Sequence, residues 1–385
     1  MIQLQDIIGQ DAAVARLQRA MAAARMPHAF IFAGPRGVGR RTTATAMAAA
    51  LLCEKPQRRK KKPGELADVA DAALLRQACG HCEDCRMMAA GSHPDFQLVY
   101  KELAAFHEDA NVRGRVMQEL GIEVIRSFLI APAYRAASRA RGKVFVVLES
   151  ELMSAAAQNS LLKTLEEPPP GVTIVLICER AEELLPTTLS RSALVRFGPL
   201  PRDFVQARLI AEGVAAAEAQ FWAQFTEGSL GQASRLARKG MYGVKVELIN
   251  RLAALPPTGD AELSDFLVKT TEVLADLAVK EAKEKGGAEL SKALAGRQAV
   301  AMMLGFMASA YRDALHVKCG RNDDLRHGEQ AAAIHAIAGR FSHEQLAEII
   351  EQLSEYETLL WRNVNAKIVW DNVAITCACA APLRI

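Results

Sequence analysis

Between an apolar run, HAFIFA at His28–Ala33, and an alanine-rich segment lies GPRGVGRRT, Gly34–Thr42. Glycines spaced G-x-x-x-x-G after a strand and before a helix restrict this chain more than any other feature. They allow a tight turn whose peptide N–H groups converge at a helix N-terminus, where the helix dipole favours an anion. The spacing is that of a phosphate-binding P-loop and implies a strand, a loop and a helix in succession. Two residues then depart from the pattern. Lys followed by Ser or Thr is expected, and the chain has Arg40 and Arg41. Gly34, Gly37 and Gly39, with Thr42 beyond them, leave anion binding open. Arg41 puts a fixed positive charge where a hydroxyl would ligate Mg²⁺, so hydrolysis is impaired at its first step.

Further short apolar runs occur at FQLVY (Phe96–Tyr100), KVFVVL (Lys143–Leu148), VTIVLIC (Val172–Cys178) and ALVRF (Ala193–Phe197). Val14, Leu17 and Met21 recur at helical spacing between residues 11 and 25. Strands alternating with helices predict a parallel sheet covered on both faces. After Gly198-Pro-Leu-Pro201 the strand signals cease and helical periodicity takes over, first in a small unit to residue 240 and then in a larger one. A length of 385 residues suits two or three domains.

The formal net charge is +3, which excludes strong polyanion binding by the chain as a whole. A zinc-dependent DNA-binding role fails on the same ground. The one dense basic run, KPQRRKKKPGE at Lys55–Glu65, is flanked by prolines and reads as a solvated loop. KGGAE at Lys285–Glu289 reads as a turn between helices. MIQLQDIIGQ at the start lacks a basic region followed by an apolar stretch, and no apolar run is long enough to cross a bilayer. The expectation is a cytoplasmic protein with no membrane partner. In a reducing compartment, regular spacing among the eight cysteines points to metal rather than disulfides.

That spacing occurs once. Cys79, Cys82 and Cys85 form C-G-H-C-E-D-C, and Cys53 lies upstream at the end of the helix that follows the glycine loop. Four thiolates suit tetrahedral Zn²⁺ and leave no open position, so the site reads as structural. Cys53 is the expected fourth ligand, with His81 or His93 as alternatives; His93 before Pro94 reads more simply as a turn residue. Cys178, Cys319, Cys377 and Cys379 lack partner spacing.

Taken together, IIGQ (Ile7–Gln10), PHAFIFAGPRGVGR (Pro27–Arg40), CGHCEDC with GSHPD (Gly91–Asp95), NSLLKTLEEPP (Asn159–Pro169) and LSRS (Leu189–Ser192) make a specific combination. In these residues the chain resembles the AAA+ clamp-loader subunits of bacterial DNA polymerase III. The C-terminal third resembles them only loosely, most visibly in NVNAKIVWDN (Asn363–Asn372). The resemblance implies a pentameric ring that opens the sliding clamp and places it on primed DNA, using ATP bound between neighbours. It implies an α/β AAA+ P-loop domain over residues 1–199 with a zinc module inserted at about 53–95, a helical lid over 200–240 and an all-α collar over 241–385. The implied partners are other clamp-loader subunits of the gamma/tau and delta types, with clamp and primed DNA reached through the complex.

Compared position by position, a hydrolysing member has Asp-Glu after the strand KVFVVL, where this chain has Glu149 and Ser150. The sensor position after VTIVLI is Cys178, followed by Glu179. In GSLGQASRLA (Gly228–Ala237), ATP-binding relatives place an Arg where Gly231 stands, and Arg235 is out of register. Mg²⁺ ligand, general base, sensor and second phosphate Arg are thus all replaced, and base and charge stabilisation each contribute orders of magnitude to such rates. Arg191 in LSRS survives, and the resemblance makes it an arginine finger supplied in trans to a neighbour's ATP. Glu166 and Glu167, before Pro168, read as helix termination rather than acid/base chemistry. The reading that follows is a non-hydrolysing stator; the alternative is an active motor subunit of the gamma/tau type.

Overall fold

A computed structural model describes residues 2–23, 26–60, 74–113, 119–139, 141–257, 261–284, 291–360 and 366–379. Lys61–Glu65 of the basic run, the turn expected at Lys285–Glu289 and Asn363–Asn365 lie outside the described residues. The chain divides into two compact units, Met1–Pro201 with Gly228–Gln232, and Arg202–Glu227 with Ala233–Ile385.

Among its described residues the first unit has seven strands: β1 (Ala29–Ala33), β2 (Gln57–Lys60), β3 (Leu74–Gln77), β4 (Phe96–Val99), β5 (Lys143–Val147), β6 (Val172–Cys178) and β7 (Ala193–Arg196). Five of them form one parallel sheet in the order β4-β5-β6-β1-β7. These are the five apolar runs of the sequence. β1 and β6 are buried along their whole length, as central strands of a sheet covered on both faces must be. Ile31, Phe145, Ile174 and Leu176 meet Leu161 and Leu165 of the helix Ala155–Glu166 in one core. Each such side chain stabilises the fold by about 1.5–3 kcal/mol when fully buried. In register, Ala33 pairs with Cys178, so both central strands end together and Gly34 N donates to Cys178 O and Glu179 O.

The segment read as a solvated loop contains a strand. Gln57–Lys60 pairs antiparallel with Leu74–Gln77 as β2 and β3. The Arg76 guanidinium donates to Ala50 O and Leu51 O, satisfying carbonyls at the end of the helix Arg40–Leu52. Gln18 exchanges two hydrogen bonds with the Arg76 backbone.

Among its described residues the second unit contains helices and no strands. Lys292–Lys318 packs against Ala261–Glu284, Ala331–Arg340 and His343–Leu360. Phe221, Trp222 and Phe225 of the helix Ala216–Phe225 gather on Phe306. Lys245 is wholly buried beside them, its Nζ 4.2 Å from the Phe221 ring centroid and 4.3 Å from that of Tyr242, and ion-paired to Glu329. Three further polar residues sit close by. The His327 ring meets Ser309 Oγ at 2.8 Å, and its peptide N–H donates to Asp313 Oδ2 at 2.8 Å.

Candidate functional site

The glycine loop joins β1 to the helix Arg40–Leu52, with Gly39 as its N-cap. Gly37 has φ +74, and a Cβ there would lie 2.3 Å from Ser229 Oγ. Gly231 N donates to Gly37 O at 3.0 Å, and a Cβ on Gly231 would lie 3.0 Å from Gly37 Cα. Two glycines therefore let the segment 229–232 lie directly on the loop. Gly231 was expected as a lost arginine; the structure adds a packing reason for the small residue.

Charged side chains gather around the loop. Arg40 is buried, and its Nη1 donates to Cys178 O at the end of β6. Burial lowers its pKa, opposed by the nearby Glu151 and Glu179 carboxylates. Arg36 pairs with Glu149 at 3.1 Å and also with Glu179, while Lys101 Nζ reaches Glu149 at 3.3 Å. Glu149 itself adopts a left-handed conformation, φ +49. Ser150 is fully buried and donates to Ile177 O at 3.0 Å, so it faces the strand rather than a substrate. Burial pushes the Cys178 thiol up to about 12 and raises the Glu151 carboxyl. Arg41 is exposed, and Thr42 is half-buried beside it. The loop residues, Glu149 and the sensor-position pair are thus brought together, already neutralised by one another. Arg36, Lys101 and Glu151 belong to this cluster and were not singled out in the sequence; Arg36 within the loop was the available signal.

The four cysteines converge. Their sulfurs lie within 4.8 Å of one another. Cys53 and Cys82 are 3.8 Å apart, Cys79 and Cys85 3.8 Å, and Cys53 and Cys85 3.6 Å. A tetrahedron of thiolates about 2.3 Å from a metal has edges of about 3.8 Å, so the set can hold one ion. Peptide N–H groups of Cys79, Cys82 and Cys85 each donate to a neighbouring sulfur at 3.3–3.4 Å, stabilising thiolate charge. Cys82 caps the helix Glu83–Ala90, whose positive end faces the cluster. His81 and His93 stand apart from it. His93 accepts from Asp95 N at 3.1 Å and lies 3.5 Å from Asp84, as a buried turn residue. The motif GSHPD ends on Asp95, whose carboxylate accepts from Ser138 N and Arg139 N at 2.8 Å each, and Arg139 reaches back to Glu83 and Asp84. The cluster is thereby tied to the segment that leads into β5.

Arg191 lies elsewhere, on the turn between the helix Pro186–Leu189 and β7. Its Nε and Nη2 meet Glu166 Oε1 at 2.8 and 2.5 Å, and its Nη1 donates to Thr187 O and Ser190 Oγ. The side chain is 34% exposed. Glu166 is the last residue of its helix, as expected, and also the carboxylate that holds this guanidinium.

Comparison with known proteins adds to this geometry. Residues 9–201 match the family described as DNA polymerase III, delta subunit, and residues 264–376 match the corresponding C-terminal family. DNA polymerase III subunit delta-prime of Escherichia coli is 30% identical over 240 residues, 62% of this chain and 63% of that protein. The Bacillus subtilis subunit of the same name is 23% identical over 351 residues, 91% of each chain. DNA polymerase III subunit gamma/tau of Mycobacterium tuberculosis is 31% identical over 204 residues, 53% of this chain and 30% of that protein. Among the described residues, no helix is long and apolar enough to cross a membrane.

Proposed function

The chain belongs to the DNA polymerase III delta subunit family, and from that premise we propose that it is the delta-prime stator of a clamp loader, which supplies an arginine finger but does not hydrolyse ATP. The observation that carries this reading is the contrast between a loop whose catalytic positions are replaced and an arginine retained on a surface turn. A nucleotide on this loop would lie beside Arg36, which pairs with Glu149 and Glu179. It would meet Arg41 in place of a Mg²⁺ ligand and a buried Ser150 in place of a base. Arg191 keeps a guanidinium, half-buried on a surface turn, and such a group suits the charge spread over a transferring phosphoryl group. An active gamma/tau-type ATPase is disfavoured by the same residues.

In this proposal the cysteine cluster holds Zn²⁺, because soft thiolates in a closed tetrahedral set select it. The ion would supply folding energy locally and no reactive water. The partners are gamma/tau-type and delta-type subunits, with the sliding clamp and primed DNA met in the assembled complex. A lid over 200–240 and a collar over 241–385 belong to the same proposal. Reconstitution with the other subunits tests it: the chain alone should turn over no ATP above background, and the complex lacking it should load clamps poorly. ATP hydrolysis by the isolated chain that Arg40→Ala abolishes would refute the stator. Metal analysis should give near one zinc per chain, lost in Cys82→Ser.

A further inference from the structure

We propose that Glu166 is a positioning residue that holds the Arg191 guanidinium on its own chain until a competing phosphate releases it; this rests on reading Arg191 as a finger that acts in trans. A guanidinium has five N–H donors. Here Nε donates to Glu166 Oε1, Nη2 lies 2.5 Å from the same oxygen as an ion pair, and Nη1 gives two, to Thr187 O and Ser190 Oγ. A phosphate takes arginine through two parallel N–H groups. The Nε–Nη2 edge that would serve is occupied by the carboxylate. In the isolated chain the finger is therefore stowed.

Helix stability does not explain the carboxylate. Glu166 ends the helix Ala155–Glu166, where the dipole disfavours negative charge, and Glu167 follows as C-cap. What Glu166 gains is Arg191. The same helix fixes the turn independently: Gln158 Oε1 accepts from Leu185 N at 2.8 Å and from Thr188 Oγ1 at 3.3 Å. The backbone is thus held at one end of the helix while the guanidinium is held at the other. Releasing the finger needs only a side-chain rotation, with no movement of the turn. Glu166 is 49% exposed and Arg191 34%. A pair this exposed to water weights its bound state by only about 1.5- to 5-fold, which a doubly charged phosphate readily overcomes.

The test uses the assembled clamp loader, with the corresponding arginines of the other subunits replaced by alanine so that turnover reports the site Arg191 serves. Glu166→Gln should raise ATP turnover in the absence of clamp and DNA by about 1.5- to 5-fold, and Glu167→Gln should leave it unchanged. A purely structural role would lower turnover through weaker assembly. Arg191→Ala with Glu166→Gln should match Arg191→Ala alone; a rise that survives without Arg191 overturns the proposal. If Arg191→Ala changes nothing, the finger reading falls. If it lowers turnover while Glu166→Gln does not raise it, only the role of Glu166 falls. Independently of assembly, phenylglyoxal should modify Arg191 of the isolated Glu166→Gln chain faster by a similar factor, and an unchanged rate there also overturns the proposal.

Discussion

Arg40 and Arg191 belong to the same unit and carry the same charged group, yet the fold uses them in opposite ways. Arg40 stands at the head of the helix after the glycine loop, is buried, and gives its donor to the Cys178 carbonyl. Arg191 stands on a turn at the surface and is held by one exposed carboxylate. A guanidinium under the loop is a strut that ties the head of the helix to the end of β6, whereas one on the turn can be handed to another molecule. Residue type alone assigns both to phosphate. Burial and partners separate them.

The contrast breaks most severely if the loop tolerates side chains. Gly37→Val should destabilise the first unit by about 2–5 kcal/mol, combining left-handed strain with overlap on Ser229. Urea unfolding near the native midpoint would show that the segment 229–232 does not rest on the loop. Next in size, Arg40→Leu should cost about 1–3 kcal/mol by leaving Cys178 O and Glu151 without their cation. Equal stability would make Arg40 no strut at all.

The buried side of the comparison can be sharpened in the second unit. Burial raises the Asp313 carboxyl to about 6, from an ordinary 3.8, and lowers the His327 imidazole to about 3, from 6.5. Below pH 6.5 the unfolded chain takes a proton on His327 that the folded chain refuses, so stability falls. Between pH 6 and 3.8 folded Asp313 takes a proton that the unfolded chain does not, and the two effects offset. Asp313→Asn removes the offset. Relative to the native chain it should lose about 1.4 kcal/mol per pH unit as pH falls through that window. Parallel stability profiles for the two chains would contradict this. The smallest effect belongs to the surface arginine: Arg191→Ala should change unfolding free energy by less than about 1 kcal/mol, even if it slows the assembled loader. A large loss of stability would place Arg191 with the struts.

How much of this was legible depended on where apolar residues sit. The five strands of the sheet were readable because each is a short apolar run with sharp ends, such as VTIVLIC. The pair β2 and β3 was not, because Gln57–Lys60 shows a basic run with no apolar face, and two strands of four residues each leave little pattern. The C-x-x-C spacing announced three of the clustered sulfurs, and the end of the loop helix announced Cys53. The direction of Arg40 could not be read, since it depends on the register that brings Cys178 beside Ala33. Glu166 was visible only as a helix end, because its partner lies 25 residues away in the sequence.

The contact between Gly37 and Gly231 also bears on ancestry. Had the chain descended from a hydrolysing form, restoring a hydroxyl at 41 and a carboxylate at 150 would leave the way back unfinished. The missing arginine at 231 would bring a Cβ to within 3.0 Å of the loop backbone, so the loop would have to shift before that side chain could return. Each early reversal would confer nothing alone, and the last would first be harmful. From such a form, the close approach that Gly231 permits would make the site easier to lose than to regain.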